Sequence, residues 1–506
     1  YRGWREAVTG EGCMSRYGTF PYSTQKYGAS VNPNLLWALE VDWDDDGVFD
    51  GSNDAVRVTG LRSERGDNYF ISGDGRGFES HSIGNAIITL DNYDGRYDPY
   101  NNTSPLYGKL QPGLLVRLWV RNGIGGTDYP IIAGVLQDIK PYGRFGSVEL
   151  VLEDGWRWLS DRDVSVSLRA DVYADDAITA IADAANYPWG YELDSGPELI
   201  KWWWTPGKKA KAEIEDVANS GIGTVFIAAD GKLKYYSRQR STDPQITIHE
   251  GEILKDVVIP QPWEFQRNIV KLSVNPRVTQ SSQVMWTLYD KPLISPDETI
   301  TIWAPFSYGG VRVPATDVIT PEITTDYTAN ASADGSGDDK TAQISVSITV
   351  FAETAKIEYT NNDAATVYLT VAQLRGKPIN APSMSQIIKE GTGAAKRPRV
   401  LELNLPWQQD YNTGVNIAEY LLGFLQGIQF FPTILIENRP EIQFGLDLYD
   451  VVSLKLDEWG IDANFRIGKI THKFLSATGQ HVQTEMRLFP VYIPPVPNYW
   501  YLGTAG

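Results

Sequence analysis

The chemistry-bearing stretch that stands out first is VDWDDDGVFDGSND, residues 41–54. Asp42, Asp44 and Asp46 occupy alternate positions, Gly47 follows, and Asp50 and Asp54 come soon after. A calcium loop needs side-chain oxygens at positions 1, 3 and 5, a glycine at 6 for the bend, a backbone carbonyl at 7 and a further ligand at 9. Asp42, Asp44, Asp46, Gly47, the Val48 carbonyl and Asp50 meet that order. The closing Glu at position 12 is replaced by Asn53, so Asp54 has to reach in from one residue beyond. Calcium is the cofactor the spacing suggests. A solvated turn is the plain alternative, because Asp and Gly gather in turns. An acidic catalytic pair fits worst, since one of its carboxyls must be kept protonated by an apolar pocket.

Other catalytic signatures are missing from the sequence. The histidines, His81, His249, His472 and His481, show no HExxH spacing, and there is no GxSxG elbow, P-loop or strand-GxGxxG-helix unit. KWWWTPGKK places Trp202, Trp203 and Trp204 in succession. Three such rings can stack on sugars, but aromatic side chains more often anchor a core or a subunit interface. On a regular strand Trp202 and Trp204 would face one way and Trp203 the other.

The elements that must position these residues are mostly strands. Trp37, Leu39 and Val41 alternate before the acidic run and Ala55–Thr59 reads as a strand after it, which predicts a hairpin with the acidic loop at its tip. NAIITLDNYDGRY, GLLVRLWV, YPIIAGVLQDIK and SVELVLEDG add strands and turns, so residues 35–165 read as a small β-barrel or sandwich. Residues 166–245 change character to an α+β unit. Ile178, Ile181, Ala182 and Ala185 repeat at helical spacing behind Asp175 or Asp176 as cap, and Ala210, Ile214, Val217 and Ala218 repeat likewise before Gly221. Val225 and Ile227 then lead into Asp230-Gly231, a pair suited to a two-residue type I′ turn.

Residues 246–310 return to β structure, and 311–390, rich in Thr, Ala, Ser and Asp, read as an inserted β-sandwich. A helix near NIAEYLLGFLQGI and three closing strands fill 391–495; in the last strand Val482, Thr484, Met486 and Leu488 share a face. The ends, an arm at 1–34 and a Pro- and aromatic-rich connector at 496–506, lack periodicity.

With 506 residues the chain can build several cores, and its net charge of −18 argues against a grip on nucleic acid through phosphate contacts. The single cysteine, Cys13, precludes an internal disulfide. Neither a bilayer-length apolar run nor a signal-peptide pattern is expected.

The stretch NAIITLDNYDGRYDPYNNTSPLYGKLQPGLLVRLWV resembles the first barrel of tail-hub or minor tail proteins of long-tailed bacteriophages. The flanks LEVDWDDDGVFDGSNDAVRVTG and IIAGVLQDIKPYG with SVELVLEDGWRWLSD are similar to the same family, extending the match over residues 35–162. FQRNIVKLSVNPR, LDLYDVVSLKL and FRIGKITHKF follow the order of a baseplate hub. The resemblance implies a mainly β chain with two hub-type β-barrel domains, a small α+β domain and an insert outside the minimal hub.

It also implies a homotrimer at the distal end of the virion tail. The implied partners are distal-tail or tail-tube ring proteins, the tape-measure protein, tip or fibre proteins, and a host surface glycan or receptor. DNA would pass only in transit, and a negative lumen would let it slide without sticking. A cell-wall or polysaccharide hydrolase and a carbohydrate-binding adhesin are the competing functions.

Overall fold

The computed structural model describes residues 34–491 except 50–53, 68–70, 72–74, 144–145, 255–256, 428–429 and 478. The predicted connector at 496–506, nearly all of the predicted arm, Cys13 and Asp50 therefore lie outside the described residues.

Six strands build the first unit: β1 (Leu35–Val41), β2 (Val58–Gly66), β3 (Asn85–Asp91), β4 (Leu115–Asn122), β5 (Asp128–Tyr142) and β6 (Ser147–Asp154). Their order is β1-β4-β5-β6-β3-β2, antiparallel throughout. Alternation does what the sequence pattern requires: Leu39 and Val41, Val58 and Leu61, Ile88 and Leu90, Val116 and Leu118, and Leu150 and Leu152 all enter one core. The sheet therefore curls around that core, with its outer strands β1 and β2 both contributing to it.

No ladder joins β1 to β2, and this overturns the expected hairpin. The segment after the acidic run, Asp54–Arg57, is a short 3-10 turn with Val56 exposed, and β2 starts only at Val58. The acidic loop thus bridges the seam of an open curled sheet.

The α+β unit follows: α1 (Gly155–Asp161), β7 (Asp163–Val172), α2 (Ala174–Ala184), β8 (Tyr191–Leu193), β9 (Ile200–Lys209), α3 (Ala210–Ser220), β10 (Thr224–Ile227) and β11 (Leu233–Tyr236). Both helices bury the residues picked from their period, among them Ile178, Ile181, Ile214 and Val217, and Gly221 ends α3 as expected. Two local expectations fail. Tyr173, without a side-chain cap, precedes α2, while Asp175 lies inside the first turn and accepts the Gly196 N–H at 2.9 Å. The β10–β11 connection is longer than two residues: Gly231 donates to the Ala228 carbonyl at 2.9 Å and sits at φ +90°.

Beyond β12 (Ile246–His249) and β13 (Ile269–Val274) come the main strands of the insert, β14 (Thr299–Pro305), β15 (Ile344–Val350), β16 (Thr354–Asn361) and β17 (Val367–Asn380). Further short strands pair with β17. They enclose a separate core with Phe306, Tyr359 and Leu369. After β18 (Ser385–Glu390) and β19 (Val400–Leu405), which flank β13, α4 (Tyr411–Leu425) packs Ile417 and Leu421 on that small sheet, its start capped by Asp410. The chain closes with β20 (Thr433–Glu437), β21 (Val451–Leu456), β22 (Ile461–Phe474) and β23 (Val482–Pro490). Val482, Thr484, Met486 and Leu488 are buried together, as their alternation requires.

The chain is mainly β with an α+β unit. None of the sheets closes among the described residues; instead the two β-rich ends fuse, because β2 pairs antiparallel with β22, Arg65 opposite Ile470 and Gly66 opposite Lys469. The fused sheet has 11 strands and continues through β21 to β12. Gly66, at φ +90°, is obligatory here, since a Cβ would lie 2.2 Å from the Gly468 carbonyl oxygen.

An ion pair built on a buried arginine fixes this joint. Arg65, 3% exposed, meets Asp447 at 2.8 Å, and the Asp447 carboxylate also accepts the N–H groups of Ala229 and Leu448. Burial alone would raise the Asp447 pKa; Arg65 and those N–H groups hold it below the usual carboxylate value. Nearby His472, opposite Ser63, is buried beside Thr484 Oγ1 at 2.9 Å, and burial, reinforced by the Arg65 charge, pushes its pKa down to about 3.

Removing one partner of a buried pair strands the other, so Arg65→Ala is expected to cost about 3 kcal/mol in denaturant unfolding. An effect within experimental error would show that the pair carries no load. His472 remains neutral when folded but takes a proton below about pH 6.5 when unfolded, so its contribution is lost as pH falls from there toward 3. His472→Gln should flatten the acid limb of the stability curve by up to about 1.4 kcal/mol per pH unit. Parallel curves for the two proteins over that range would refute the assignment.

Candidate functional site

The acidic loop is held by its own carboxylates. Asp42, 1% exposed, accepts the Asp46 N–H at 3.2 Å with one oxygen and the Gly47 N–H at 2.8 Å with the other. Asp46 accepts the Val48 N–H at 2.9 Å, and Asp44 pairs with Lys109. Asp54 is buried, where it accepts from Trp43 Nε1 at 3.3 Å and faces Arg96 Nε at 3.4 Å. The oxygens proposed for calcium thus point at different donors. Among the described residues no three His, Cys, Asp or Glu side chains gather as a cation cage, and Asp50, one of the expected calcium ligands, lies outside the described residues.

What the loop joins is the segment 92–110. Asn92 accepts the Tyr97 N–H at 2.9 Å, and Tyr97 and Leu106 are buried in the first core. Burial, helped by the Asp54 charge, raises the Tyr97 hydroxyl pKa. Arg57 grips Asp94 with both ends of its fork, at 2.8 and 2.7 Å. Asp44, Asp54 and Arg57 therefore tie the seam-crossing loop to a plug made from DNYDGRYDPYNNTSPLYGK.

Outward from that plug stand Tyr93, Tyr100 and Tyr107, 67%, 90% and 55% exposed. They recur every seven residues, a spacing that the sequence carries in a stretch that is neither helix nor strand. Rings carried outward on a rigid loop suit a protein interface, where tyrosine is enriched.

In the tryptophan run Trp203 and Trp204 are both buried while Trp202 is half-buried, and the β7–β9 register shifts between Val166 and Arg169, opposite Thr205 and Trp203. Trp203 donates to Glu213 at 3.1 Å, and Trp204 donates to Glu353 of the insert at 2.9 Å and packs edge-on against Trp407 at 5.2 Å. The Trp202 backbone exchanges two hydrogen bonds with Gln409. The run is thus a joint between the α+β unit, the insert and the segment before α4.

One further cluster has catalytic residue types. Asp67 bonds His81 Nδ1 at 2.7 Å and the Ser82 N–H, while Glu215 holds the His81 N–H, Ser80 and Lys211. Burial works against the Asp67 charge, yet His81 and the Ser82 N–H lower its pKa overall. The His81 ring lies parallel to Trp156 at 5.9 Å, and among the described residues no hydroxyl or thiol bonds its other nitrogen.

No family model and no curated protein sequence matches the chain. Solved structures do align with it. A tail protein from Neisseria meningitidis MC58 covers 90% of this chain and 96% of its own, at 13% identity and TM-score 0.49. The 43 kDa tail protein of prophage MuSo2 from Shewanella oneidensis covers 90% and 98%, at 10% identity and TM-score 0.47. Prophage tail protein gp18 from Listeria monocytogenes EGD-e covers 90% and 94%, at 10% identity and TM-score 0.43. Among the described residues no helix is long and apolar enough to cross a membrane.

Because the carboxylates bond internal donors, a calcium chelator should leave the melting temperature unchanged. Asp42→Ala, which strands two N–H groups, should cost about 1–3 kcal/mol. A drop in melting temperature on chelation that calcium alone restores would establish an ion in the loop.

Proposed function

We propose that this chain is a structural component of a phage tail tip, a hub that joins the tail tube or distal-tail ring to the tip. In that role it would close the channel before adsorption and take part in genome delivery. The observation that carries the reading is the segment 91–110, the part of the sequence that most resembles tail-hub proteins. Its buried members Asn92, Tyr97 and Leu106 lock it across the seam of the first sheet, and Tyr93, Tyr100 and Tyr107 remain outside. A rigid plug with three exposed rings is suited to contact a neighbouring subunit or ring protein.

The fusion of both chain ends into one sheet supports the same reading, because a load-bearing joint benefits from β-rich parts that move together. Self-assembly as a homotrimer and attachment to a ring of tail proteins are the partner interactions proposed. The net charge of −18 suits a lumen through which DNA passes without binding.

Sedimentation of the purified protein is expected to give a trimer, and the trimer should bind a hexameric tail or distal-tail ring. Replacing Tyr93, Tyr100 and Tyr107 together with Ser should weaken one of these associations by roughly 30-fold or more, with the melting temperature of the isolated chain unchanged. A stable monomer without affinity for tail rings would sink the hub reading. Clearing of cell-wall substrate by the purified protein would favour a hydrolase instead.

A further inference from the structure

A cavity of about 120 Å³ lies where the end of the α+β unit meets α4, β22 and the close of β23. Its walls are largely aromatic, with Tyr236, Tyr420, Tyr449 and Phe489 among them, and Arg238 and Arg466 supply the charge. No Asp or Glu is among its lining residues, although the chain carries 63 acidic residues.

The two arginines differ in what they hold. Arg238 is committed to the Glu198 carboxylate and to the Gly221 carbonyl at 3.0 Å. Arg466 has a buried Nε without a hydrogen-bond partner, and among the described residues no carboxylate comes within ion-pair distance of it. The acid whose charge it feels, Asp194, is already engaged by Arg240 at 2.7 Å and by the Ser237 N–H at 3.1 Å. Burial pulls the Arg466 pKa below its usual value, against the weaker opposing pull of Tyr420, Tyr449 and Asp194. A guanidinium nitrogen withdrawn from water without a partner is unfavourable. Its planar fork is matched to a carboxylate.

We propose that this cavity binds a carboxylate carried on an apolar or aromatic body, with Arg466 pairing the anion and the tyrosine and phenylalanine rings enclosing the rest. One free guanidinium suits one negative charge, and a small, ring-lined space suits an organic acid better than a strongly hydrated phosphate. Two sources share this chemistry: a free aromatic acid, or the terminal carboxylate of a peptide ending in an aromatic residue. The site is independent of any role in a tail.

Calorimetry on the full chain with benzoate and with acetyl-Gly-Gly-Phe, each against its neutral amide, tests the proposal. The acids are expected to bind roughly 30-fold or more tightly than their amides, and Arg466→Met should abolish that preference. Stronger binding of the peptide acid than of benzoate assigns the site to a peptide terminus; the reverse assigns it to a free acid. The ligand-free melting temperature of Arg466→Met should be unchanged or higher, since an uncompensated charge is removed and replaced by an apolar side chain. The proposal is overturned if acid and amide bind alike, if neither acid binds at millimolar concentration, if Arg466→Met keeps the preference, or if that variant melts lower.

Discussion

Everything in this molecule hangs on the antiparallel contact of β2 with β22. It joins residues about 400 apart in sequence, and closing so long a loop costs conformational entropy that local structure cannot offset. The ladder supplies part of the compensation, and the Arg65–Asp447 pair adds direction, because each charge is acceptable in the interior only while the other faces it. Ala229 donates to the same carboxylate, so the α+β unit is pinned at the point where the two β-rich ends meet. Phe444, Phe474 and Val482 from the last part of the chain extend the first core across the joint.

The seam of the first sheet shows how charge can replace a ladder. β1 and β2 share a core without pairing, and the gap is crossed by carboxylates that satisfy N–H groups, a tryptophan N–H and cationic side chains. A carboxylate that accepts backbone N–H bonds stabilises a turn without needing an ion. The same bonds leave the tyrosines of the neighbouring plug facing outward. Structural chemistry at the seam and a candidate interaction surface are thus two sides of one loop.

The tryptophan run illustrates a second economy. Two successive rings enter the interior, where each indole N–H finds a carboxylate, Glu213 or Glu353. Three parts of the chain are coupled by side chains whose type favours a core or interface anchor over a ligand platform. Exposed indoles do occur elsewhere, at Trp263, Trp303 and Trp459.

The period of the apolar residues was enough to place β1, β3, β4, β5, β6, α2, α3, α4 and the face of β23, because burial of one face is a local demand that each segment meets alone. The resemblance of residues 35–162 to tail-hub proteins was also legible, and the spacing of Tyr93, Tyr100 and Tyr107 was there to be read. Partners were not. Which acids meet the Trp203 and Trp204 indoles and which acid meets Arg65 depend on residues brought together from distant segments. The pairing of β1 with β4 rather than β2 is of the same kind, since an alternating strand carries no mark of its neighbour. Arg466 is the clearest case: one arginine in a strand pattern, made conspicuous only by a cavity in which no carboxylate faces it.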